Sequence, residues 1–76
     1  MNEIELLLDF GDNLKRELKE NGITARDLSY ETGISESTIH YYIRGERMPS
    51  VSNAIKIMQA LNCTFEDLFD TSESLI

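Results

Sequence analysis

The side chains able to carry out catalysis are few, and their spacing does not suit it. His40 is the one histidine and Cys63 the one cysteine, and 22 positions separate them. There is no Ser/His/Asp constellation, glycine-rich phosphate loop or metal-ligand cluster. The many carboxylates fall on polar helix faces, where solvation is a simpler role than paired acid–base work. We therefore predict that the chain is not an enzyme and needs no cofactor or metal.

A second group of polar side chains points to recognition of a partner instead. Ile39 and Ile43 are four residues apart, so they share one face of a short predicted helix. Polar or amphipathic residues point away from that face: Ser35, Glu36, Ser37, His40, Tyr41 and Arg44.

Two short predicted helices joined by a glycine turn position this group. Thr24 is a good N-cap, and Asp27 lies three residues later, as in a capping box. Gly33 suits the left-handed end of the first helix, and Ser35 caps the second, which Gly45 ends. Both helices are too short to be stable alone, so other elements must pack behind them. This arrangement matches a helix-turn-helix.

The rest of the chain also predicts helices and no strand. The first helix should run from near Glu3 or Ile4 to Glu20, and a fourth should cover about 51–61. Thr64 should cap a short last helix. The predicted core is Leu14, Leu18, Ile23, Leu28, Ile34, Ile39, Ile43, Ala54, Ile55, Met58, Leu61, Leu68 and, at its margin, Phe65.

Length and charge limit the possible classes. The 76 residues make one domain, and the single cysteine excludes an internal disulfide, as in a reducing cytoplasm. Residues 1–12 carry four carboxylates and no Lys or Arg, so they predict neither a signal peptide nor a membrane span. A net charge of −7 argues against nucleic acid. However, six of the seven basic side chains lie between residues 15 and 47.

Residues 24–45 resemble the helix-turn-helix of the Cro and phage-repressor (XRE-type) family. FGDNLKRELKENGIT resembles the first helix of that family, and RGERMPS resembles its loop after the recognition helix. VSNAIKIMQALNCTFEDLFD resembles the fourth and fifth helices. The resemblance covers residues 10–70. It divides the chain into an apolar and acidic extension (1–9, either separate or continuous with helix 1), a domain (10–70) and a short tail (71–76).

The resemblance implies an all-α, compact, five-helix lambda-repressor-like fold with a helix-turn-helix formed by helices 2 and 3. It places Glu36, Ser37 and Tyr41 at base-facing positions, and His40 beside base or phosphate. Glu can accept from cytosine N4, Ser can donate or accept, and an aromatic edge can meet a thymine methyl. Glu36 has an alternative role, which is to stabilise the positive end of the helix dipole.

Contacts to the DNA backbone follow from the same resemblance. The amides near Thr24 and Ala25 would meet a phosphate. Many relatives carry Gln at the position of Ala25, so part of this clamp is missing here. The cations best placed to compensate are Arg26, Arg44 and Arg47, with Ser35 at the helix start. Lys15, Arg16 and Lys19 are either flanking contacts or solvated surface.

The leading hypothesis is a Cro-like, sequence-specific DNA-binding repressor in the cytoplasm, which binds a palindromic operator as a homodimer. We expect dimer contacts from the last helix and tail (Phe65, Phe69, Leu75, Ile76) or from the apolar N-terminal segment. The rival hypothesis is a protein-interaction adaptor or antitoxin with little DNA affinity. A third is a structural domain cut from a larger chain. Neither a membrane nor a small-molecule ligand is expected as a partner.

The resemblance also yields a packing prediction. Relatives commonly pair a buried Arg with a buried Glu at the positions that Leu18 and Ile43 occupy here. Replacing both partners by apolar residues is often neutral or stabilising, whereas replacing one is costly. We therefore predict that Leu18 and Ile43 touch between helices 1 and 3.

Overall fold

The structure is a computed structural model that describes residues 2–69. These residues form five α-helices and no strand. The helices are α1 (Glu3–Asn21), α2 (Ala25–Thr32), α3 (Glu36–Ile43), α4 (Val51–Leu61) and α5 (Phe65–Leu68). The all-α five-helix prediction is therefore confirmed. None of these helices is both long and apolar enough to cross a membrane.

The helix ends follow from local side-chain chemistry. Thr24 and Thr64 each accept from the backbone N–H three residues on, and Asp27 and Asp67 accept from the N–H of the two threonines. The capping box predicted at Thr24 is therefore present, and the predicted cap at Thr64 also forms a capping box. Hydrogen bonds from Thr24 and Thr64 lower the pKa of these two carboxyl groups. Their contribution to stability is present above the ordinary pKa of 3.8 and is lost as the pH falls below it.

The apolar N-terminal segment is continuous with the first helix. α1 starts at Glu3 and ends at Asn21, where Gly22 has a left-handed φ of 64°. The side chain of Asn2 caps the start by accepting from Glu5 N–H at 2.8 Å. The turn of the helix-turn-helix also has the predicted form, because Gly33 is left-handed with φ 78°.

The core lies between α1, α3, α4 and α5, with α2 closing one side. Its buried apolar residues are Phe10, Leu14, Leu18, Leu28, Ile34, Ile39, Tyr42, Ala54, Ile57, Leu61, Leu68 and Phe69. Ile23, Ile43 and Met58 pack against this cluster while partly exposed. The predicted contact between Leu18 and Ile43 stays a prediction.

Three assignments to core or surface were wrong. Ile55 is 44% exposed, and Ile57, two residues on, is fully buried in its place. Phe65 is 54% exposed, whereas Phe69, expected at a dimer interface, is 4% exposed. The ring of Phe69 stacks on Phe10, with centroids 4.8 Å apart, so α5 closes the core with its last residue. The other two residues of the proposed interface, Leu75 and Ile76, lie outside the described residues.

α1 approaches the end of α3 at Gly11. A Cβ atom there would lie 2.7 Å from the carbonyl oxygens of Tyr42 and Ile43. A side-chain neighbour could rotate away, but these neighbours are backbone atoms. Gly11 therefore allows the short distance between the two helices. Any larger residue at this position would displace one of the helices.

α1 also contacts α5, and a small acidic cluster lies at this contact. Asn13 and Arg16 donate to the carbonyl oxygens of Leu68 and Asp67 at 2.9 and 3.0 Å. Beside them, the carboxylates of Glu17 and Asp67 and the thiol of Cys63 lie within 4.8 Å of one another. Burial, followed by the two carboxylates, raises the pKa of the Cys63 thiol to about 11.

The close approach at Gly11 can be tested by adding one methyl group. We expect Gly11→Ala to lower the free energy of unfolding by about 1–2 kcal/mol, measured by urea denaturation. Overpacking typically costs about 1–3 kcal/mol, which exceeds the about 1 kcal/mol that Ala gains over Gly in a helix. Asp12→Ala, at an exposed neighbouring position, is the control and should change stability by less than about 0.5 kcal/mol. A Gly11→Ala protein as stable as the wild type would contradict this prediction.

The raised pKa of Cys63 predicts a slow thiol. Only the thiolate is nucleophilic, so at pH 8 the folded protein should react with iodoacetamide at least about tenfold more slowly than the same chain in urea. Restricted access would also slow the reaction, and the pH profile separates the two causes. In the folded protein the rate should keep rising toward about pH 11, whereas in the unfolded chain it should level off near 9. Superimposable pH profiles would show that the thiol is not perturbed.

Candidate functional site

The residues predicted to face DNA bases lie on the outer face of α3. Glu36 and Ser37 begin the helix and are exposed, and His40 and Tyr41 follow one turn later, half-buried. On the opposite face Ile39 is fully buried and Tyr42 is 3% exposed, so Tyr42 packs in the core while its neighbour Tyr41 lies on the outer face. Helix α3 therefore separates an outward polar face from a buried apolar one.

Packing and one hydrogen bond fix α3 in the domain. The ring of Tyr42 meets the ring of Phe10 edge-on, with centroids 5.7 Å apart. Asn53 Nδ2 of α4 donates to Tyr42 Oη at 3.0 Å. The polar end of this buried tyrosine is thus satisfied, and α3 is tied to both α1 and α4.

At the start of α3 two predicted site residues contact each other. His40 Nε2 lies 3.4 Å from Glu36 Oε2, one turn apart on the exposed face. Ser35 caps the helix, with its Oγ accepting from Thr38 N–H at 3.1 Å. The carboxylate of Glu36 therefore has an intrahelical partner as well as a favourable position at the helix N-terminus.

At the other end of α3 two arginines meet one aromatic ring. The guanidinium carbon of Arg44 lies 5.1 Å from the ring centroid of Tyr41, and that of Arg47 lies 4.3 Å from it. Arg44 also forms a two-pronged contact with Glu46, from Nε to Oε1 at 3.1 Å and from Nη2 to Oε2 at 3.3 Å. This hydrogen bonding raises the pKa of Arg44 above its ordinary value.

The remaining predicted contacts lie at the start of α2. Thr24 is the N-cap and Ala25 the first helical residue, followed by exposed Arg26. Of the flanking basic residues on α1, Arg16 is already engaged. It donates to Asn13 Oδ1 at 3.0 Å and lies within 4 Å of the carboxylates of Glu17 and Glu20. The positive charge of Arg16 is therefore balanced by carboxylates of the same helix.

Two features of this surface were missed from the sequence. The sequence did not predict the ion pair between Glu46 and Arg44. It also did not predict the stacking of Arg47 on Tyr41. Opposite charges two residues apart across Gly45 are a signal for the first contact. The second depends on the path of the loop after α3, for which the sequence offers no local pattern.

An apolar groove lies to one side of α3, between α1, α4, α5 and the loop before α4. Its cavity volume is about 390 Å³. The lining residues are Leu6, Met48, Pro49, Ser50, Val51, Ala54, Ile55, Met58, Phe65 and Phe69. None of them is charged, and Val51 (79% exposed) and Phe65 stand open to solvent. A contiguous apolar patch of this kind is typical of an interaction site.

Within residues 2–69 the donor atoms closest to a metal-site arrangement are those of Glu17, Cys63 and Asp67. Asp67 already accepts from Thr64 N–H, and Arg16 supplies a positive charge 3.8 Å from Glu17. The thiol is held in its protonated form by its raised pKa. These contacts account for the cluster within the fold, and it lies on α1, on α5 and on the segment between α4 and α5, away from α3.

One family model matches most of the chain. Residues 14–68 match the family model HTH_3, described as helix-turn-helix. The chain is similar to the restriction-modification controller protein C.AhdI from Aeromonas hydrophila, with 28% identity and a TM-score of 0.78. That similarity covers 83% of this chain and 96% of C.AhdI.

Two further similarities cover most of this chain but only part of the other protein. An HTH_3 family transcriptional regulator from Vibrio cholerae has the same fold, with a TM-score of 0.84 and 23% identity over 97% of this chain and 42% of the other. The replication factor C small subunit of Methanocaldococcus jannaschii is 34% identical over 70 residues, or 92% of this chain. The chain spans about 4% of the length of that relative.

The matched segment contains the two helices, the glycine turn and the buried face of α3 described above. It extends over well more than half of the chain, and the solved structures reproduce the five-helix arrangement. The chain belongs to the HTH_3 helix-turn-helix family.

Proposed function

We propose that this protein is a sequence-specific DNA-binding regulator that binds a palindromic operator as a homodimer, with α3 in the major groove. The observation that carries the proposal is the polar outer face of α3, whose inner face is fixed by Ile39 and Tyr42. A rigid helix with exposed hydrogen-bonding groups in its first turns is what base recognition requires. Membership of the HTH_3 family supports the same function.

Each part of the surface has a proposed role. Glu36 and Ser37 read base edges from the first turn of α3, and His40 contacts a base or phosphate next to them. At the start of α2 the amide of Ala25 meets a phosphate, helped by Arg26. The Thr24 N–H already donates to Asp27, so Thr24 contributes through its hydroxyl group. Ser35, Arg44 and Arg47 complete the backbone contacts.

The excess of negative charge limits how the protein can bind. A net charge of −7 repels DNA at long range, so non-specific binding should be weak. The affinity for an operator must then come from base contacts and from two domains acting together. Bound in this way across a promoter, the dimer would repress transcription by blocking polymerase.

The homodimer is proposed to form through the apolar groove, with a second copy of this chain as its occupant. Two chains of charge −7 repel each other, so the favoured contact is a surface whose lining carries no charge. A dimer that binds half-sites one turn of B-DNA apart must hold its two recognition helices about 34 Å from each other.

Operator selection from random duplexes tests the proposed DNA recognition. We expect a palindrome that binds about 10³-fold more tightly than a scrambled duplex. Glu36→Ala should reduce the preference at one base pair per half-site by about 1–3 kcal/mol, because one base contact is removed. Glu31→Ala, a carboxylate on α2, is the charge-matched control and should leave the preference unchanged. If no sequence is enriched, the protein-interaction hypothesis replaces this one.

The dimer interface is tested by Val51→Asp. Val51 is the first residue of α4, where a carboxylate favours the helix, so the fold should persist. We expect at least about tenfold weaker self-association in sedimentation equilibrium, because each copy would bring a charge into the groove. Tyr30→Asp, at a residue 91% exposed on α2, is the matched control and should dimerise normally. Equal association of both variants would remove the groove from the interface.

A further inference from the structure

The ring of Tyr41, in the last turn of α3, contacts cations from two different elements. Arg44 ends α3, and Arg47 lies in the loop that leads to α4. Both guanidinium carbons lie within about 6 Å of the Tyr41 centroid, the range over which a cation is attracted to an aromatic ring. Of the two, Arg47 is nearer, at 4.3 Å.

The two arginines differ in how their charge is balanced. Glu46 takes up the guanidinium of Arg44 through two hydrogen bonds. Among residues 2–69, by contrast, Arg47 has no carboxylate within 4.0 Å. Its described partner is the ring of Tyr41. Arg47 therefore presents an uncompensated positive charge on a strongly acidic chain, beside the recognition helix.

We propose that Tyr41 is a positioning residue that holds Arg47 for contact with a DNA phosphate, rather than a reader of a base. This inference rests on the proposed function and assigns a role to one residue of the same surface. An arginine side chain on a loop has many accessible rotamers. Stacking on the Tyr41 ring restricts it before DNA arrives, so less entropy is lost on binding.

The location of the stack favours phosphate over base as the partner of Arg47. Recognition helices contact base edges mainly with their N-terminal residues. The stack lies at the C-terminal end of α3 and continues into the following loop, where the DNA backbone passes a bound helix-turn-helix. Phosphate contacts fix register without sequence information. Loss of Tyr41 should therefore weaken all DNA binding alike.

The test compares Tyr41→Ala with Tyr41→Phe on the selected operator and on a scrambled duplex, across a range of salt concentrations. We expect Tyr41→Ala to weaken binding to both duplexes by the same factor, about two- to fivefold per protomer. The slope of log affinity against log salt should become shallower by up to about 0.9 per protomer. Tyr41→Phe keeps the ring and should match the wild type. Tyr30→Ala removes an exposed tyrosine from α2 and is the control.

A double-mutant cycle shows whether the two residues act as one unit. Arg47→Ala should weaken binding at least as much as Tyr41→Ala, and the double variant should be little weaker than Arg47→Ala alone. Additive losses would mean that Tyr41 and Arg47 act separately. Relaxed preference at one base pair in Tyr41→Ala, or a weakened Tyr41→Phe, would make Tyr41 a base reader. Each of these results overturns the proposal.

A measurement without DNA separates this proposal from the proposed function. In the free protein, the Arg47 side-chain protons should show an upfield ring-current shift in NMR spectra, preserved in Tyr41→Phe and lost in Tyr41→Ala. If the wild type lacks this shift, the stack is absent and the role of Tyr41 falls, whatever the DNA affinity. If the protein shows the shift but selects no duplex, the stack is present and the proposed function is wrong. The proposed role of Tyr41 in DNA binding is then wrong as well.

Discussion

The close approach of α1 to the carboxyl end of α3 is the contact on which the rest of this structure depends. It requires the absence of a side chain at Gly11, because a Cβ there would meet two backbone carbonyl oxygens at 2.7 Å. With the helices this close, Tyr42 reaches the Phe10 ring and its hydroxyl reaches Asn53. The inner face of α3 is thereby fixed, and the directions of the outer side chains follow from helix geometry.

The elements with local signals could be predicted from the sequence. Thr24 and Thr64 with their aspartates determine where α2 and α5 begin, and these capping boxes involve residues only three positions apart. Gly33 determines the turn through a backbone conformation that other residues rarely adopt. Such features depend on neighbours in the chain, so they are legible before any tertiary contact is known.

The errors concern choices that tertiary packing makes. In α4 a stripe through Ile55 and one through Ile57 are both amphipathic, and only the positions of α1 and α2 decide which is buried. Phe65 and Phe69 are four residues apart and equally apolar. Phe69 is the buried one because its ring stacks on Phe10. The stack of Arg47 on Tyr41 depends in the same way on the path of the loop between α3 and α4. The placement of the candidate residues on the outer face of α3 was thus predictable, whereas the contacts among them were not.

Charge placement links these contacts to function. At long range a chain of charge −7 repels DNA, so attraction must act over distances comparable to the Debye length, about 8 Å in physiological salt. Within that range the number of basic side chains without an acidic partner matters more than the net charge of the chain. Arg16 is engaged by neighbouring carboxylates and Arg44 by Glu46, so each must exchange one acidic partner for another to meet a phosphate. Among residues 2–69, Arg47 has no acidic partner to release before it meets a phosphate. Because Arg16 and Arg44 are paired, fewer cations attract DNA without regard to its sequence. Under the proposed function, the affinity then depends on base contacts and on the two-fold repetition of the operator.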